Sequence, residues 1–456
     1  MSSPTSNVRT SPRKRPNVIW IFGDQHRGQA LGCAGDPNVR TPNIDGLAQY
    51  GLRCPNAVAG TPWCTPFRAA LLTGRYPHQV GCTRTPSQLS PEHPTIAQPL
   101  REGGYHTAWV GKWHLGGKNY PEDVPPELRG GFDYWMGFEA GNVPYNTSIQ
   151  GSDHEELREL PGYQTDELTD LLIRHLRGHC AQDDYQPFFA ALSVQPPHDR
   201  YVAPARFMRH NPGTLELRPN VPDVPWVQEM ARHELSGYYG MIENFDWNIG
   251  RLLDALREMR IDSDTWIMFF SDHGDSHGSH GMFRKSNPYE ESIRIPMIIA
   301  RASPNRGDPD HLCDATINHV DITATTLGLC GIEPPAPMAG HSYHHHLVET
   351  AQDTAHDDPE SAYLQQIPPK AFPQGIDVPW RGVVTRNGWK YICMPSARWL
   401  MFNLNDDPYE QANLAFNTRF MDQRRRLHQM LADWIERTGD EFEMPAVDSG
   451  APTNWR

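Results

Sequence analysis

The sequence predicts an α/β fold: a large doubly wound sheet, mixed or mainly parallel, with helices on both faces, followed by a smaller C-terminal α+β domain with a short antiparallel sheet. Three observations support this prediction. Short apolar runs alternate with helical patterns over the first three quarters of the 456 residues. These runs are unbroken, as expected of strands that are buried on both faces. After about residue 350 the pattern changes to polar, proline-rich sequence, then a strand pair and one helix.

Five apolar runs form the predicted strands of the large sheet. They are NVIWIF (17–22), TAWVG (107–111), FFAALSV (188–194), TWIMFF (265–270) and PMIIA (296–300). Between them, Thr41 is predicted as a helix N-cap and Pro42 as the first helical residue. A second helix is predicted over 233–259, where apolar residues recur at steps of three and four.

The chain divides at the change of pattern near residue 350. Residues 351–380 are rich in Pro, Asp and Gln and are predicted to form a linker or long loop. The segments GVVTRNGWKYIC and WLMFNL then predict antiparallel strands, and RRRLHQMLADWIERT predicts a terminal helix. We therefore expect a disordered tail (1–15), a large α/β domain (16–350) and a smaller C-terminal domain (351–456).

Composition excludes several classes of partner. With 38% hydrophobic and 21% charged residues the chain is globular, and its formal net charge of −14 argues against nucleic acid as a partner. No segment approaches the roughly 20 apolar residues of a membrane span. Residues 1–16 lack the apolar stretch of a signal peptide, so we expect a cytoplasmic protein whose eight cysteines are reduced thiols. The sequence does not indicate an oligomeric state.

Polar, chemically active side chains follow the predicted strands. In open α/β sheets ligands bind beyond the carboxyl ends of the strands, so these side chains are expected to share one site. The candidates are Asp24, Gln25, Lys112, His114, His198, Asp272, His273 and Lys285. A single Asp at a strand end is more often a helix cap, but several clusters at successive strand ends favour a common site.

The chemistry of these side chains indicates a metal and proton transfer. Asp24, Gln25, Asp272 and His273 offer mainly oxygen ligands, which suit Ca²⁺, Mg²⁺ or Mn²⁺. Lys112 and His114 are two residues apart and would face the same side of an extended segment. His198 stands apart from these residues and could act as a general acid.

Cys64 is placed at the start of a predicted helix. Pro66 favours the first helical turn, where free backbone N–H groups and the helix dipole attract anions. Arg68 lies four residues further, on the same face, and can pair with an oxyanion. A lone cysteine is most often a small buried apolar residue, but its place at a helix start beside an arginine favours a functional role.

These residues lie within a wider resemblance. Cys64, Pro66 and Arg68, followed by AALLTGRYPH, are similar to the signature of the type I sulfatases of the alkaline phosphatase superfamily. Further similar segments are PNVIWIFGDQ, TPNIDGLAQYGL, GYHTAWVGKWHLG, GFDYWMGF, SDHGDSHGSHGMFRKSNPYEESIRIPMIIA and NLNDDPYEQANLA. The resemblance extends from about residue 16 to the 410s, and it identifies 16–350 as a sulfatase-like catalytic domain.

The resemblance implies a modified residue and its chemistry. In that family the cysteine is oxidised to formylglycine (3-oxoalanine) by a formylglycine-generating enzyme, and the aldehyde hydrates to a geminal diol. One hydroxyl attacks sulfur and expels the alcohol, and the second, once deprotonated, collapses to the aldehyde and releases sulfate by C–O cleavage. A plain Ser or Cys would leave a stable ester with no such exit.

The resemblance also implies a metal site. The modified Cys64 would bind Ca²⁺, or else Mn²⁺ or Mg²⁺, together with Asp24, Gln25, Asp272 and His273. Gln25 stands where many sulfatases have a second Asp, and His273 where many have Asn. The first difference makes the site less negative and weighs against calcium.

Catalytic roles follow from the resemblance as well. Arg68 and Lys112 would hold the diol, and His114 would help to deprotonate it. Lys285 would bind the sulfate oxygens, and His198 would protonate the leaving group of a small-molecule or saccharide sulfate ester.

Two other functions fit parts of the pattern. A phosphonate monoester or phosphodiester hydrolase could use the same formylglycine site, although the Lys112 and His114 pair favours a sulfatase. A non-catalytic binding protein on this scaffold would be expected to lack a chemical residue, and this chain retains all of them.

Other histidines are given structural interpretations. His277 and His280 are interpreted as loop hydrogen-bonding residues rather than ligands of a second metal, and His344–His346 as a solvated surface stretch.

Overall fold

A computed structural model describes residues 15–304, 312–348, 357–368, 376–395 and 397–447. The predicted disordered tail is 1–15, and all of it except Arg15 lies outside the described residues. The strands are β1 (Asn17–Gly23), β2 (Leu52–Arg53), β3 (His106–Lys112), β4 (Tyr134–Phe138), β5 (Ser148–Gly151), β6 (His154–Glu159), β7 (Phe188–Val194), β8 (Thr265–Ser271), β9 (Met297–Arg301), β10 (Ser361–Gln366), β11 (Trp380–Thr385), β12 (Trp389–Met394) and β13 (Ala397–Asn403). The α-helices are α1 (Pro42–Tyr50), α2 (Cys64–Thr73), α3 (Ala97–Glu102), α4 (Gln164–Cys180), α5 (Pro225–Glu258), α6 (Glu290–Ile293), α7 (His319–Leu329), α8 (His345–Val348) and α9 (Met421–Thr438).

Nine strands form one large mixed sheet in the order β2-β9-β8-β1-β7-β3-β4-β5-β6. Strands β8, β1, β7, β3 and β4 are parallel to one another. Antiparallel strands complete both edges, with β9 and β2 on one side and β5 and β6 on the other. The predicted fold class is confirmed. The run 296–300 does form a strand, but it is antiparallel to its neighbour.

The large sheet is covered on both faces. Alternate residues of β1 belong to two different hydrophobic clusters: Val18, Trp20 and Phe22 lie on one side, Ile19 and Ile21 on the other. The first cluster includes residues of α2, α3 and α7, and the second includes residues of α1, α4 and α5. Because a strand alternates its side chains between faces, an apolar run with no polar break requires this double cover.

A second, four-stranded antiparallel sheet has the order β10-β11-β12-β13. Helix α9 packs on one face through Leu427 and Leu431. The prediction of a linker over 351–380 is wrong for 361–366, which form β10 paired with β11. SAYLQQ is too short and too polar for its own pattern to reveal a strand, since its burial depends on the sheet around it. The domain boundary at 350 stays a prediction.

One helix boundary and one helix cap differ from the predictions. Helix α5 begins at Pro225, eight residues before the predicted start at 233, because proline suits the first helical position and the helix continues through a buried face. Helix α1 begins at Pro42 as predicted, but Thr41 does not cap it through its side chain. The Thr41 hydroxyl instead donates to Asp45 Oδ1 at 2.9 Å.

A buried lysine joins the two sheets. Lys390 on β12 is fully buried and its Nζ lies 3.0 Å from Glu290 Oε1 on α6, donates to the Pro288 carbonyl at 2.8 Å, and pairs with Glu410. Since an unpaired buried charge is costly, these contacts fix the small sheet against the segment that follows β8. Across the described ranges, none of the helices is both long and apolar enough to cross a bilayer.

Candidate active site

The central parallel strands end at one edge of the large sheet. Gly23 of β1 pairs with Ser271 of β8, so Asp24 and Asp272, the next residue of each chain segment, emerge side by side. On the other flank, Gly111 of β3 pairs with Ser193 of β7. Gly111 has φ of 114°, and a Cβ at this position would collide with the Ser193 carbonyl oxygen. Glycine therefore permits the close strand approach that brings the end of β3 to this edge.

Arg68 lies at the centre of this edge, fully buried on α2. Its Nη2 is 3.2 Å from Asp272 Oδ2 and 3.4 Å from Asp24 Oδ2. Its Nη1 donates to the Lys112 carbonyl at 2.9 Å and to Ser193 Oγ at 2.8 Å. One guanidinium thus bonds to groups at the ends of β1, β3, β7 and β8, which its planar fork of five donors allows.

Four potential ligand atoms converge beside Arg68. They belong to Asp24, Cys64, Asp272 and His273, all buried, and lie within 4.8 Å of one another. Cys64 is the first residue of α2, and its Sγ is 3.1 Å from His273 Nε2 and 3.5 Å from Asp24 Oδ1. His273 Nε2 is 3.6 Å from Oδ1 of each aspartate. The two Oδ1 atoms therefore face the cluster while both Oδ2 atoms face Arg68.

The hydrogen bond made by Nδ1 of His273 determines which ring nitrogen carries the proton. His273 Nδ1 lies 3.0 Å from the Gly274 carbonyl, which can only accept a hydrogen bond, so Nδ1 carries the proton. Burial, together with Lys285, lowers the pKa of His273, although Asp272 and Asp24 oppose the shift. The ring is therefore neutral, and its Nε2 lone pair points into the cluster.

Asp24 is a buried carboxylate surrounded by positively charged side chains. Burial on its own would raise the pKa of Asp24, but the cations around it, of which Lys112 is the strongest, hold that pKa well below its ordinary value. The Lys112 ammonium forms an ion pair with Asp24 Oδ2. Asp24 is thus an anion at neutral pH, the form in which a carboxyl group binds a metal ion.

A second group of side chains adjoins this cluster. Lys285 Nζ lies 2.5 Å from Gln25 Oε1 and 2.6 Å from His198 Nε2. His198 Nδ1 is 2.8 Å from the Asp199 carbonyl and 2.9 Å from Asp199 Oδ1, both acceptors only, so Nδ1 carries a proton. Burial and Lys285 lower the pKa of His198, yet Asp24 and Asp199 outweigh them and the net shift is upward. The imidazolium form of His198 is therefore accessible.

His114 is placed differently from the prediction. It lies beyond the end of β3 with φ of 62°, so the expected two-residue alternation of an extended segment does not apply to it. The side chain is still buried, and its Nδ1 has no hydrogen-bond partner among the described residues. Burial, with Lys112 and Arg68 nearby, holds the pKa of His114 well below its ordinary value. The ring is neutral and able to accept a proton.

Residues that the sequence reasoning missed support these side chains. Ser193 Oγ accepts from Arg68 and donates to the Lys112 carbonyl at 2.9 Å, and it is the one hydroxyl in an otherwise apolar strand. Asp275 Oδ2 accepts from Gln25 Nε2 at 2.6 Å and from the Tyr201 hydroxyl at 2.7 Å. Asp275 lies three residues after Asp272, so its position was a usable signal. The contact to Tyr201 depends on the fold, so no signal in the sequence indicated it.

The structure thus brings the ten predicted site residues to one edge of the sheet. Gln25 differs from expectation in detail: its amide oxygen accepts from Lys285, and its backbone N–H donates to Asp272 Oδ1 at 3.0 Å. The arrangement offers an anionic ligand pair, a neutral imidazole ligand, three cations for an oxyanion and two histidines for proton transfer. The role of each residue stays a prediction.

Comparison with known proteins places the chain in a family. The family model described as Sulfatase matches residues 16–332, and that of the N-sulphoglucosamine sulphohydrolase C-terminal region matches 278–437. The ulvan-active sulfatase of Formosa agariphila is 33% identical over 435 residues, covering 94% of this chain and 83% of that protein. The N-acetylglucosamine-6-O-sulfatase of Bacteroides thetaiotaomicron is 25% identical over 508 residues, covering 94% of this chain and 88% of that protein.

A solved structure agrees with these relatives. That of yidJ from Bacteroides fragilis, a protein assigned as a sulfatase, superposes with a TM-score of 0.83 at 25% identity, covering 96% of this chain and 99% of that one. The family match extends over both sheets, since the two family models together span β1 to α9. The chain belongs to the sulfatase family, in the alkaline phosphatase superfamily, and is a sulfuric ester hydrolase.

Proposed function

We propose that the enzyme hydrolyses sulfate monoesters to an alcohol and inorganic sulfate, using a formylglycine made from Cys64 and one divalent metal ion. The observation that carries the proposal is the convergence of Asp24, Cys64, Asp272 and His273 within 4.8 Å, at the N-terminus of a helix whose next turn carries Arg68. In a sulfuric ester hydrolase, this places a modifiable residue, an anionic ligand set and an oxyanion-binding cation at one point.

The donor set fits a divalent ion. Two carboxylate oxygens and an imidazole lone pair face the same point, and the lone pair is fixed there because Nδ1 of His273 donates to a carbonyl. The Cys64 sulfur stands in for an oxygen of the modified residue. Oxygen-rich sites with one nitrogen suit Ca²⁺, Mg²⁺ or Mn²⁺; we propose Ca²⁺, with Mn²⁺ and Mg²⁺ as the alternatives. When bound, such an ion supplies a Lewis acid that lowers the pKa of an oxygen ligand. Gln25 would contribute through its amide oxygen.

Formylglycine at position 64 would supply, as its hydrate, a hydroxyl nucleophile and a second hydroxyl through which sulfate is released. This requires a maturation partner, a formylglycine-generating enzyme. Cys64 is buried in the folded chain, so conversion is expected before folding is complete. A cytoplasmic location, expected from the sequence, stays part of the proposal.

Three cations bind and orient the anionic group. Arg68 is held rigidly between Asp24 and Asp272, so it needs little reorganisation to bind an oxyanion. Lys112 pairs with Asp24 and flanks the same point. Lys285 donates to His198 and Gln25 in the free enzyme, and we propose that it turns to the sulfate oxygens when substrate binds.

His198 is proposed as the proton donor to the departing alcohol oxygen. Its Nδ1–H is held by Asp199, which stabilises the imidazolium form. When Lys285 moves to the sulfate, His198 Nε2 no longer accepts a bond from it and can carry the proton that the alcohol takes up. The Asp199 carboxylate orients the ring throughout.

His114 is proposed as the base for the second half of turnover. Its pKa lies well below the ordinary value because burial and two neighbouring cations disfavour the charged form. A neutral imidazole is therefore present at working pH, and it accepts the proton whose removal releases sulfate. Its Nδ1 has no competing partner among the described residues.

The substrate is proposed to be a small-molecule or saccharide sulfate ester. The name of the N-acetylglucosamine-6-O-sulfatase of Bacteroides thetaiotaomicron supports a saccharide, since that relative covers 94% of this chain. A sulfate monoester carries one negative charge, which three neighbouring cations can bind despite the negative charge of the whole protein.

The first prediction concerns the reaction. We expect kcat/KM for an aryl sulfate to exceed that for the matching phosphonate monoester and phosphodiester, because neutral His114 beside Arg68 and Lys112 suits release of sulfate. Steady-state turnover of fully modified enzyme on the three esters with one common leaving group measures this. The reverse order would favour the phosphonate monoester or phosphodiester hydrolase instead.

The second prediction concerns Cys64. Trypsin releases residues 54–68 as one peptide that contains both Cys54 and Cys64, so each molecule carries its own control. In active enzyme we expect mass spectrometry to show that Cys54 still reacts with a thiol reagent, whereas position 64 has lost its sulfur and gained an aldehyde oxygen. The Cys64→Ala variant should be folded and inactive. Full activity with an intact Cys64 thiol would contradict the mechanism.

The third prediction concerns the metal. Asp272→Asn removes an anionic ligand and one partner of Arg68, so the metal of this cluster and activity should be lost together. Elemental analysis after gel filtration measures metal per chain. Asp262→Asn, on the loop before β8 and outside the cluster, is the matched control and should retain both. A folded Asp272→Asn chain with wild-type metal content would refute the ligand assignment.

The fourth prediction separates the two histidines. His198→Ala should slow esters of basic alcohols by about 10²–10⁴-fold and nitrophenyl sulfate much less, because a good leaving group needs little protonation. His114→Ala should slow all esters equally and release a burst of alcohol, equal to the enzyme present, before slow turnover. Stopped-flow measurement of alcohol release over a leaving-group series tests both. The same leaving-group dependence in both variants, with no burst, would show that the roles are wrongly divided.

A further inference from the structure

The structure places a histidine cluster far along the chain from the candidate active site. His341 Nε2 lies 3.0 Å and His345 Nε2 3.2 Å from the same oxygen, Asp358 Oδ1. His346 Nε2 lies 2.8 Å from the other oxygen, Asp358 Oδ2. The interpretation of His344–His346 as a solvated surface stretch is therefore wrong for His345 and His346, whose rings are turned towards a carboxylate.

The cluster is largely shielded from water. The side chain of Asp358 is 3% exposed and that of His345 is 10% exposed, whereas His341 is 33% exposed. A carboxylate buried in this way must be paired. The more open His341 gives an ion from solvent a route to the site.

We propose that His341, His345 and Asp358 bind a Zn²⁺ ion that fastens the small sheet to the large one. The three ligand atoms lie within 4.8 Å of one another. In a tetrahedral zinc site with bonds of about 2.0–2.1 Å, neighbouring ligand atoms are about 3.3 Å apart. The two nitrogen-to-oxygen distances of 3.0 and 3.2 Å are close to this edge length.

Zinc suits this donor set better than the ions proposed for the active site. Two imidazoles with one carboxylate form a donor set that is typical of Zn²⁺ and leaves a fourth position for water. Nε2 of His341 and Nε2 of His345 both lie close to the same oxygen of Asp358, and Nε2 of His346 lies close to the other one. A zinc ion between them would be bound by the lone pairs of the first two nitrogens and by that shared oxygen.

His346 completes the arrangement without being a ligand. It bonds to Asp358 Oδ2, the oxygen that faces away from His341 and His345, and also interacts with Cys313. A donor on the outer oxygen fixes the orientation of a ligating carboxylate. His346 is thus a positioning residue for Asp358.

The ligands come from segments that lie next to different sheets. His341 lies between α7 and α8, and its backbone N–H donates to Asp321 Oδ1 of α7 at 2.8 Å. His345 begins α8, and Asp358 lies three residues before β10 of the small sheet. An ion bound here connects the helices that cover the large sheet to the first strand of the second one, and so stabilises their packing.

The cluster Asp24, Cys64, Asp272 and His273 shares no residue with this site. A third group, His280, Glu291 and Glu410, is a poorer candidate because Glu410 already pairs with the buried ammonium of Lys390. The proposal therefore does not depend on the proposed function, and either can fail without the other.

The test compares zinc content and thermal stability of the full-length chain. The protein is stripped with EDTA, equilibrated with Zn²⁺ and separated from free metal. We expect the His341→Asn/His345→Asn chain to bind one zinc fewer than the wild type. His344→Asn is the matched control, since its Nδ1 lies 2.9 Å from Ser342 Oγ and it is not one of the three ligands. His346→Asn should weaken zinc binding by about 10–100-fold.

Zinc should raise the midpoint of thermal unfolding of the wild type and of His344→Asn, but not of the double variant. Turnover of an aryl sulfate by folded double variant should stay at the wild-type level, because neither histidine belongs to the active site. Equal zinc content in the wild type and the double variant would overturn the proposal.

A second measurement decides the matter if the double variant does not fold. Diethyl pyrocarbonate modifies accessible imidazole nitrogens, and peptide mass spectrometry locates the products. In stripped wild-type protein, added Zn²⁺ should protect His341 and His345 while His344 reacts to the same extent. Unchanged modification of His341 at saturating Zn²⁺ would refute the site.

Discussion

The guanidinium of Arg68 is the contact on which the arrangement of the active-site edge depends. It bonds to Asp24 after β1, to Asp272 after β8, to the Lys112 carbonyl at the end of β3 and to Ser193 in β7. All of these groups are buried, and a buried charge without partners costs several kcal/mol. The buried carboxylates at these strand ends therefore require a cation, and α2 places Arg68 between them. The same requirement holds Cys64, one helical turn earlier, against Asp24 and His273.

The sequence predicted this edge well because its signal is local. A polar residue that directly follows a buried strand must emerge at the strand end, and parallel strands end together, so Asp24, Lys112 and Asp272 could be grouped without knowledge of the strand order. Ser193 could have been found in the same way, as the hydroxyl before the end of β7. The orientation of His114 was not predictable in this way, because the chain has left the strand there and His114 adopts a left-handed conformation that no alternation rule describes.

Features that depend on distant partners were not predictable. The strand β10 is polar and short, and its burial comes from β11 and from the hydrophobic clusters on either side. The histidines near residue 344 were expected to be solvated because nothing in their run indicates Asp358, twelve residues beyond His346. In both cases the decisive contact joins segments whose own patterns are weak, and only the packing of the two sheets creates it.

The two proposed metal sites differ in donor chemistry, and this difference can direct different ions to them. Before conversion, Cys64 offers sulfur beside the nitrogen of His273 and two carboxylate oxygens, a set that favours zinc. Replacement of that sulfur by oxygen leaves a mainly oxygen site, which favours harder ions such as Ca²⁺. The set of His341, His345 and Asp358 is not altered by this modification and keeps its two imidazoles. On these proposals, conversion of one cysteine changes the ion preferred at the catalytic centre and leaves the zinc proposed between the sheets unaffected.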